Sequence, residues 1–162
     1  MKRFICFMVL LVATICSYAQ SEWSLRDYLK SNAETLDPIE GVYDVEWNCD
    51  YITPFVHQKY ETDHFTIIIK KSYDGSKFDV YSSNRNYGLS DFLSITKVGQ
   101  TNVYYFYYKS SKCRIYLTDN NHHFVAKLQL DNSSAKFFTG NYQLAPSVNV
   151  LPVYDCIKTF PN

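Results

Sequence analysis

Glycine is scarce in this chain, with five residues in 162. That scarcity excludes collagen-like, glycine-rich-repeat and low-complexity architectures. Charge of one sign is missing as well, since 16 basic residues face 16 acidic ones. Nucleic-acid binding needs a concentrated basic face to displace counterions, and no block of like charge supplies one. Nor does a polybasic patch or basic amphipathic helix offer itself to anionic lipid. The longest apolar run, Phe4 to Ile15, falls short of the ~20 residues that a membrane-spanning helix needs. Neither Gly-x-Ser-x-Gly nor Gly-Asp-Ser-Gly occurs, so no serine-hydrolase nucleophile motif is present.

What the short apolar run does have is the right flanks. Lys2 and Arg3 precede it, and Ser17-Tyr18-Ala19 follow it as a small-residue cleavage site before Gln20. This is the layout of a secretory signal peptide, so residues 1–19 are expected to be removed and the protein exported. A lipid anchor on Cys16 is disfavoured, because Ile15 stands where such sites want a small residue. Export leaves periplasm, outer-membrane periphery and medium all open. Residues 20–162 then form a single domain, large enough to bury a core. Losing Lys2 and Arg3 and no acidic residue brings its net charge near −2. Three cysteines remain, Cys49, Cys113 and Cys156. An odd number allows at most one internal disulfide, and their spacings match no zinc or thiol-redox motif. Buried thiols acting as small hydrophobes explain them equally well.

Fifteen tyrosines and eleven phenylalanines are present in abundance, and such rings suit a pleated, half-buried surface. One short helix opens the domain. Ser24 and Asp27 have capping-box spacing, Leu25, Tyr28 and Leu29 share a face, and Pro38 terminates the segment. From Glu40 the period changes to two. Tyr43, Val45, Trp47 and Cys49 alternate with polar residues. Phe65, Ile67 and Ile69 lead through Asp74-Gly75 to Phe78 and Val80 as a hairpin. Further strands are expected over Phe92–Val98, Val103–Lys109, Cys113–Leu117, Phe124–Leu130, Ala135–Leu144 and Val153–Phe160. Short strands joined by polar turns predict an all-β antiparallel fold that removes its edges by closing into a barrel or folding into a sandwich; the preferred form is an up-and-down barrel of about eight to nine strands, with one short N-terminal helix.

Residues 36–43, Leu-Asp-Pro-Ile-Glu-Gly-Val-Tyr, resemble the Leu-Asp-Pro-Ile-Glu-Gly-Ile-Tyr/Trp signature of a group of secreted β-rich domains from Bacteroidetes. The leader ending Tyr-Ala-Gln, the helix before the signature and the closing Ile157-Lys158-Thr159-Phe160-Pro161 are similar too. Those domains, of unestablished function, occur alone or beside trypsin-like peptidase domains. The resemblance therefore implies a secreted β-rich fold and leaves room for a protein partner. The architecture also resembles that of lipocalins and other calycins, in which a Gly-x-Trp opens the first barrel strand. Here Gly41-Val42-Tyr43 takes that place, with Tyr43 for the tryptophan and no clear partner arginine after the last strand. Read without the resemblance, Pro38 and Gly41 frame a helix-to-strand connection, where glycine permits a positive φ or close approach of another backbone. Glu40 there is explained by bonding to backbone amides.

Catalytic groups are sparse. His57 and His64 are read as flanking a loop, and His122-His123 as lying in a turn where neighbouring side chains diverge. Solvated histidines explain both pairs better than a metal site does. Cys113 sits in an alternating apolar face, which suits a buried thiol rather than a nucleophile. Asp44 and Glu46 share one strand face about 7 Å apart, given a rise of roughly 3.4 Å per residue. That spacing would not exclude glycosidase geometry, but exposed polar positions are the ordinary reading. No catalytic, cofactor-binding or metal-binding residue is assigned.

The run Tyr104-Tyr105-Phe106-Tyr107-Tyr108 makes both faces of one strand aromatic, and one of them should be wet. Either the opening helix covers that row, with Tyr28 and Leu29 against the rings, or the row binds something. The preferred expectation is a non-enzymatic exported barrel that holds a small apolar or glycan-like ligand, with Trp47, Tyr105 and Tyr107 inside as contacts. The alternative is a module docking a protein partner through an exposed Tyr104, Phe106 and Tyr108.

Overall fold

The computed structural model describes residues 23–55, 57–82 and 93–161, with side chains for all of these except 57–61. The expected signal peptide lies outside the described residues. Helix α1 covers residues 23–31, and because Trp23 is already helical, Ser24 lies within the helix rather than capping it. Seven strands follow: β1 (Gly41–Ile52), β2 (His57–Lys71), β3 (Phe78–Ser82), β4 (Leu93–Lys97), β5 (Val103–Tyr108), β6 (Ser111–Tyr116) and β7 (His123–Lys127). Helix α2 (Asn132–Thr139) and strand β8 (Asn149–Phe160) complete the chain.

The strands form one eight-stranded sheet in the order β6-β5-β4-β3-β2-β1-β8-β7, antiparallel throughout. Each strand pairs with its sequence neighbour and β8 returns beside β1, which makes an up-and-down, nearly closed barrel. At the seam, β6 and β7 lie side by side without a ladder among the described residues. An isolated bridge between Thr118 and His123 and a bond from the Lys127 backbone amide to Cys113 hold the edges together. Closure of this kind hides the unpaired groups that an open sheet would offer to other chains.

The alternation expected of β1 is present: Tyr43, Val45, Trp47 and Cys49 are buried, while Asp44 and Glu46 are exposed. Asp74-Gly75 joins β2 to β3 as anticipated. Other expectations are corrected. Residues 135–144 are not a strand, because α2 occupies most of that segment. Asp131 caps α2 by accepting from Ser134 N at 2.9 Å, and Gly140, at φ 65°, ends it in left-handed geometry. In addition, His57 and His64 do not flank a loop, since both lie on the long strand β2, and His123 opens β7, where its ring bonds Asp155, while His122 stays in the turn before it.

Helix α1 packs on the outside of the barrel, as its apolar stripe requires. Leu29 is fully buried against Val42 and Ile68, with Leu25, Tyr28, Leu36 and Phe160 around them. The expected cover over the tyrosine run is therefore corrected, because α1 lies on the β1–β2 side. Val42 and Ile68, opposite each other in the ladder, are outward apolar positions that need such a cover.

Candidate functional site

The barrel interior is packed with rings. Phe106 lies 5.3 Å from Tyr154 and 6.5 Å from Phe124, and Tyr43 meets Phe124 edge-on at 5.2 Å. At one end Phe138 of α2 sits 5.9 Å from Trp47 and 5.4 Å from Tyr108. Asp131 ties this helix to the β5–β6 turn through the Ser110 and Ser111 hydroxyls at 2.6 and 3.1 Å. Ser110, Ser111 and Ser134 together hold the Asp131 carboxyl far below the usual carboxylate range.

The segment resembling the secreted-domain signature closes the other end. Asp37 accepts the Tyr104 hydroxyl at 2.5 Å and the Lys97 ammonium at 2.6 Å. Burial pushes its pKa upward, but those two bonds, the Ile39 amide and the Lys97 charge together outweigh it and leave the carboxyl below its ordinary value. Glu40, 2% exposed, accepts from Lys71 N and Asp37 N, both at 2.9 Å, and from the Tyr28 hydroxyl at 3.4 Å. Tyr43 donates to Ile39 O at 2.9 Å, and Lys158 Nζ donates to Pro38 O at 2.5 Å. A Cβ on Gly41 would sit 2.6 Å from Phe160 O, so glycine is required there by the close approach of β8. Both acids and the glycine of this segment thus have a partner that fixes the fold, and none is presented to a substrate.

The two aromatic rows of β5 are exchanged relative to expectation. Tyr104, Phe106 and Tyr108 face inward and are buried, so they form no partner surface. Tyr105 and Tyr107 face outward, so they are not interior contacts, whereas Trp47 is inside, opposite Tyr154 in the ladder. The physical reason is the Tyr104 hydroxyl. A buried tyrosine needs a hydrogen-bond partner, and Asp37 supplies one to the Tyr104 row.

The outer face of β4, β5 and β6 carries Tyr105 and Tyr107 with ring centroids 6.2 Å apart. Register places Arg114 opposite Tyr105, Lys112 opposite Tyr107 and Tyr116 opposite Val103, with Thr96 and Ser94 flanking on β4. Arg114 donates to the Tyr105 hydroxyl at 3.1 Å, and its bond and charge draw the Tyr105 pKa below the ordinary phenol value. Lys112 Nζ stands 4.9 Å from the Tyr105 centroid and 6.0 Å from that of Tyr107. Tyr116 is 53% exposed. A solvent-facing tyrosine pair with hydroxyls and cations held in place can stack a flat apolar face while bonding polar groups at its rim.

The other candidates are weaker. Asp44 and Glu46 line an open concavity of about 390 Å³ with His64, Thr66, Asp155 and Ile157. There Asp44 accepts from Thr66 Oγ1 at 3.2 Å, and Asp155 bonds His123 Nε2 at 2.7 Å. Among the described residues no three His, Cys, Asp or Glu side chains converge to hold a metal ion. Cys49, Cys113 and Cys156 are free thiols. Burial pushes the Cys113 pKa up to about 11, against the partial relief of the Lys127 amide, which suits an inert thiol. Among the described residues no helix is long and apolar enough to cross a membrane.

Comparisons with models of known families, with curated proteins and with solved structures gave no match for this chain. Lys112 and Arg114 are absent from the sequence-based candidates. Their strand positions, at the parity that puts them across from Tyr105 and Tyr107, become meaningful only once register is known.

Proposed function

We propose that this is an exported, non-enzymatic barrel domain that binds a glycan-like ligand on the outer face of β4–β6, with Tyr105 and Tyr107 as the stacking contacts. The observation that carries the reading is the adjacent pair of solvent-facing rings, 6.2 Å apart, with the Tyr105 hydroxyl held by Arg114. Pyranose rings present an apolar face and a hydroxyl rim, and this arrangement offers a complement to both. The packed interior, covered at one end by Phe138 and at the other by the Asp37 network, supports an external site over an axial one. Eight-stranded barrels are narrow enough to be filled by their own side chains. The signal-like leader and the resemblance to secreted Bacteroidetes domains support export and a place at the cell envelope.

The test is a polysaccharide array probed with the purified protein and with a Tyr105→Ala/Tyr107→Ala variant. Binding to at least one glycan is expected, with loss of ~10-fold or more in the variant at an unchanged melting temperature, since each stacked ring contributes about 1 kcal/mol. Full binding by the double variant would move the site elsewhere. Silence of the protein across the array would remove the glycan reading and direct attention to a protein partner for the same face.

A further inference from the structure

The charge on β4–β6 is one-sided, and on neighbouring β3 the one acid opposite Ser94, Asp79, is ion-paired with Lys77 at 3.0 Å. From Phe92 to Thr118 the sequence holds four cations, Lys97, Lys109, Lys112 and Arg114, and no aspartate or glutamate, although the whole chain is neutral. Lys97 is turned to Asp37 at the barrel end, and Lys109 Nζ lies over the Phe137 ring, 3.0 Å from its centroid. Lys112 and Arg114 stand on the outer face itself. Among the described residues neither is ion-paired with a carboxylate. The nearest identified partners of Arg114 are phenol oxygens, those of Tyr105 and Tyr116. Asp131, the acid bonded to the hairpin turn, is already satisfied by Ser110, Ser111 and Ser134.

A guanidinium whose identified partners are neutral, two phenol hydroxyls and the Tyr105 ring 5.6 Å away, keeps most of its capacity for an anion. Carboxylates and sulfates accept its planar donors in pairs, and pre-orientation by two tyrosine oxygens lowers the entropy lost on binding. Lys112, within 6.0 Å of both ring centroids, adds a second point charge beside the stacking surface. From this charge complementarity we infer that the occupant of the β4–β6 face is an anionic polysaccharide, bearing uronate or sulfate groups, with its sugar ring on Tyr105 and Tyr107 and its anionic group on Arg114 and Lys112. The inference rests on the glycan reading above and names its substrate class.

Isothermal titration of the purified protein with polygalacturonate, heparin, neutral dextran, neutral mannan and poly-glutamate tests it. The expected result is preference for polygalacturonate or heparin over both neutral polymers and poly-glutamate by about tenfold or more, weakening as salt rises. Lys112→Gln/Arg114→Gln should abolish that preference with melting temperature unchanged, each exposed contact accounting for roughly three- to fivefold. Tyr105→Ala/Tyr107→Ala should lower binding to the charged and neutral polymers alike. Equal affinity for neutral polymers, lost in the tyrosine variant, would overturn the inference and leave the glycan reading standing. Poly-glutamate bound as tightly as the acidic glycans would overturn both, in favour of an acidic protein partner. Retention of the preference by Lys112→Gln/Arg114→Gln would overturn the assignment of the site.

Discussion

Asp37 offers the sharpest test of how the barrel end is held. Besides the Ile39 amide at 3.4 Å, its carboxylate takes two side-chain donors of different kinds: the Tyr104 hydroxyl, on a residue that is 0% exposed, and the Lys97 ammonium at the rim. Asp37→Ala removes both bonds and strands a buried hydroxyl. The orphaned hydroxyl costs about 1–3 kcal/mol, and the lost charge-assisted contact with Lys97 about 1 kcal/mol more, so about 3 kcal/mol is expected. Tyr104→Phe alone removes one hydrogen bond to a charged acceptor, about 1.5–2 kcal/mol, because Lys97 still satisfies the carboxylate. With Asp37 already alanine, Tyr104→Phe should cost almost nothing, since it deletes the stranded hydroxyl. The double-mutant cycle should therefore give a coupling of about 2 kcal/mol.

Urea unfolding followed by tryptophan fluorescence measures each corner, with Trp47 buried in the core as the reporter. All three variants should remain folded, given a total stability of about 5–15 kcal/mol for a domain of this kind. Constant m-values would show that midpoints report stability alone. Acid should loosen the same contact. Because the folded-state pKa of Asp37 is lowered, its contribution is present above the ordinary carboxylate pKa and is lost as pH falls through the folded value. Asp37→Asn should thus be less acid-sensitive than the parent, though less stable at neutral pH. A Tyr104→Phe cost that is the same in both backgrounds would refute the claim that this bond joins the signature segment to β5.

Three further outcomes follow from the same structure. Gly41→Ala should destabilise by about 2–3 kcal/mol, since its Cβ would meet Phe160 O, a backbone atom, at 2.6 Å; melting temperature checks this, and an unchanged value would mean that β8 yields freely. Burial depresses the Lys158 pKa to about 8, against the opposing pull of Asp37 and Glu40. Unfolded Lys158 therefore keeps its proton above pH 8, so this residue's own contribution to stability rises from pH 8 toward 10, while the buried thiols of Cys113 and Cys156 pull the other way; the urea midpoint of the parent relative to that of Lys158→Met should climb over this range. Phe138→Ala, in a Trp23→Phe background, should cost about 2–3 kcal/mol and expose Trp47 to acrylamide quenching, because Phe138 covers the Trp47 end of the barrel.

Period-two patterning made most of the barrel legible. Tyr43, Val45, Trp47 and Cys49 could only be one face of a half-buried strand, and Asp74-Gly75 could only be a turn between two such strands. Where the pattern was ambiguous, something outside the segment decided. Phe137 and Phe138 suit a strand as well as a helix, and what selects the helix is Asp131 before them and Gly140 after them. On β5 both rows are aromatic, so hydrophobicity cannot orient the strand. The decision falls to a carboxylate 67 residues away in sequence, and the same parity then sets Lys112 and Arg114 outside. The covered faces of Val42 and Ile68 likewise become intelligible only with α1 in place.

Residues 36–43 have a structural explanation that needs no ligand. Asp37 binds β4 and β5, Glu40 binds the β2 backbone and α1, Gly41 admits β8, and Tyr43 returns to Ile39. Side chains with this many fixed partners resist substitution for reasons of folding, whatever the domain binds. A chain that keeps this segment should therefore keep the barrel closure and α1 packed on β1 and β2. Nothing in that closure constrains Tyr105, Tyr107, Lys112 or Arg114, whose side chains project from the opposite side of their strands into solvent. Substitutions at those four positions should therefore leave stability within about 0.5 kcal/mol, as expected for surface changes away from the closure's contacts.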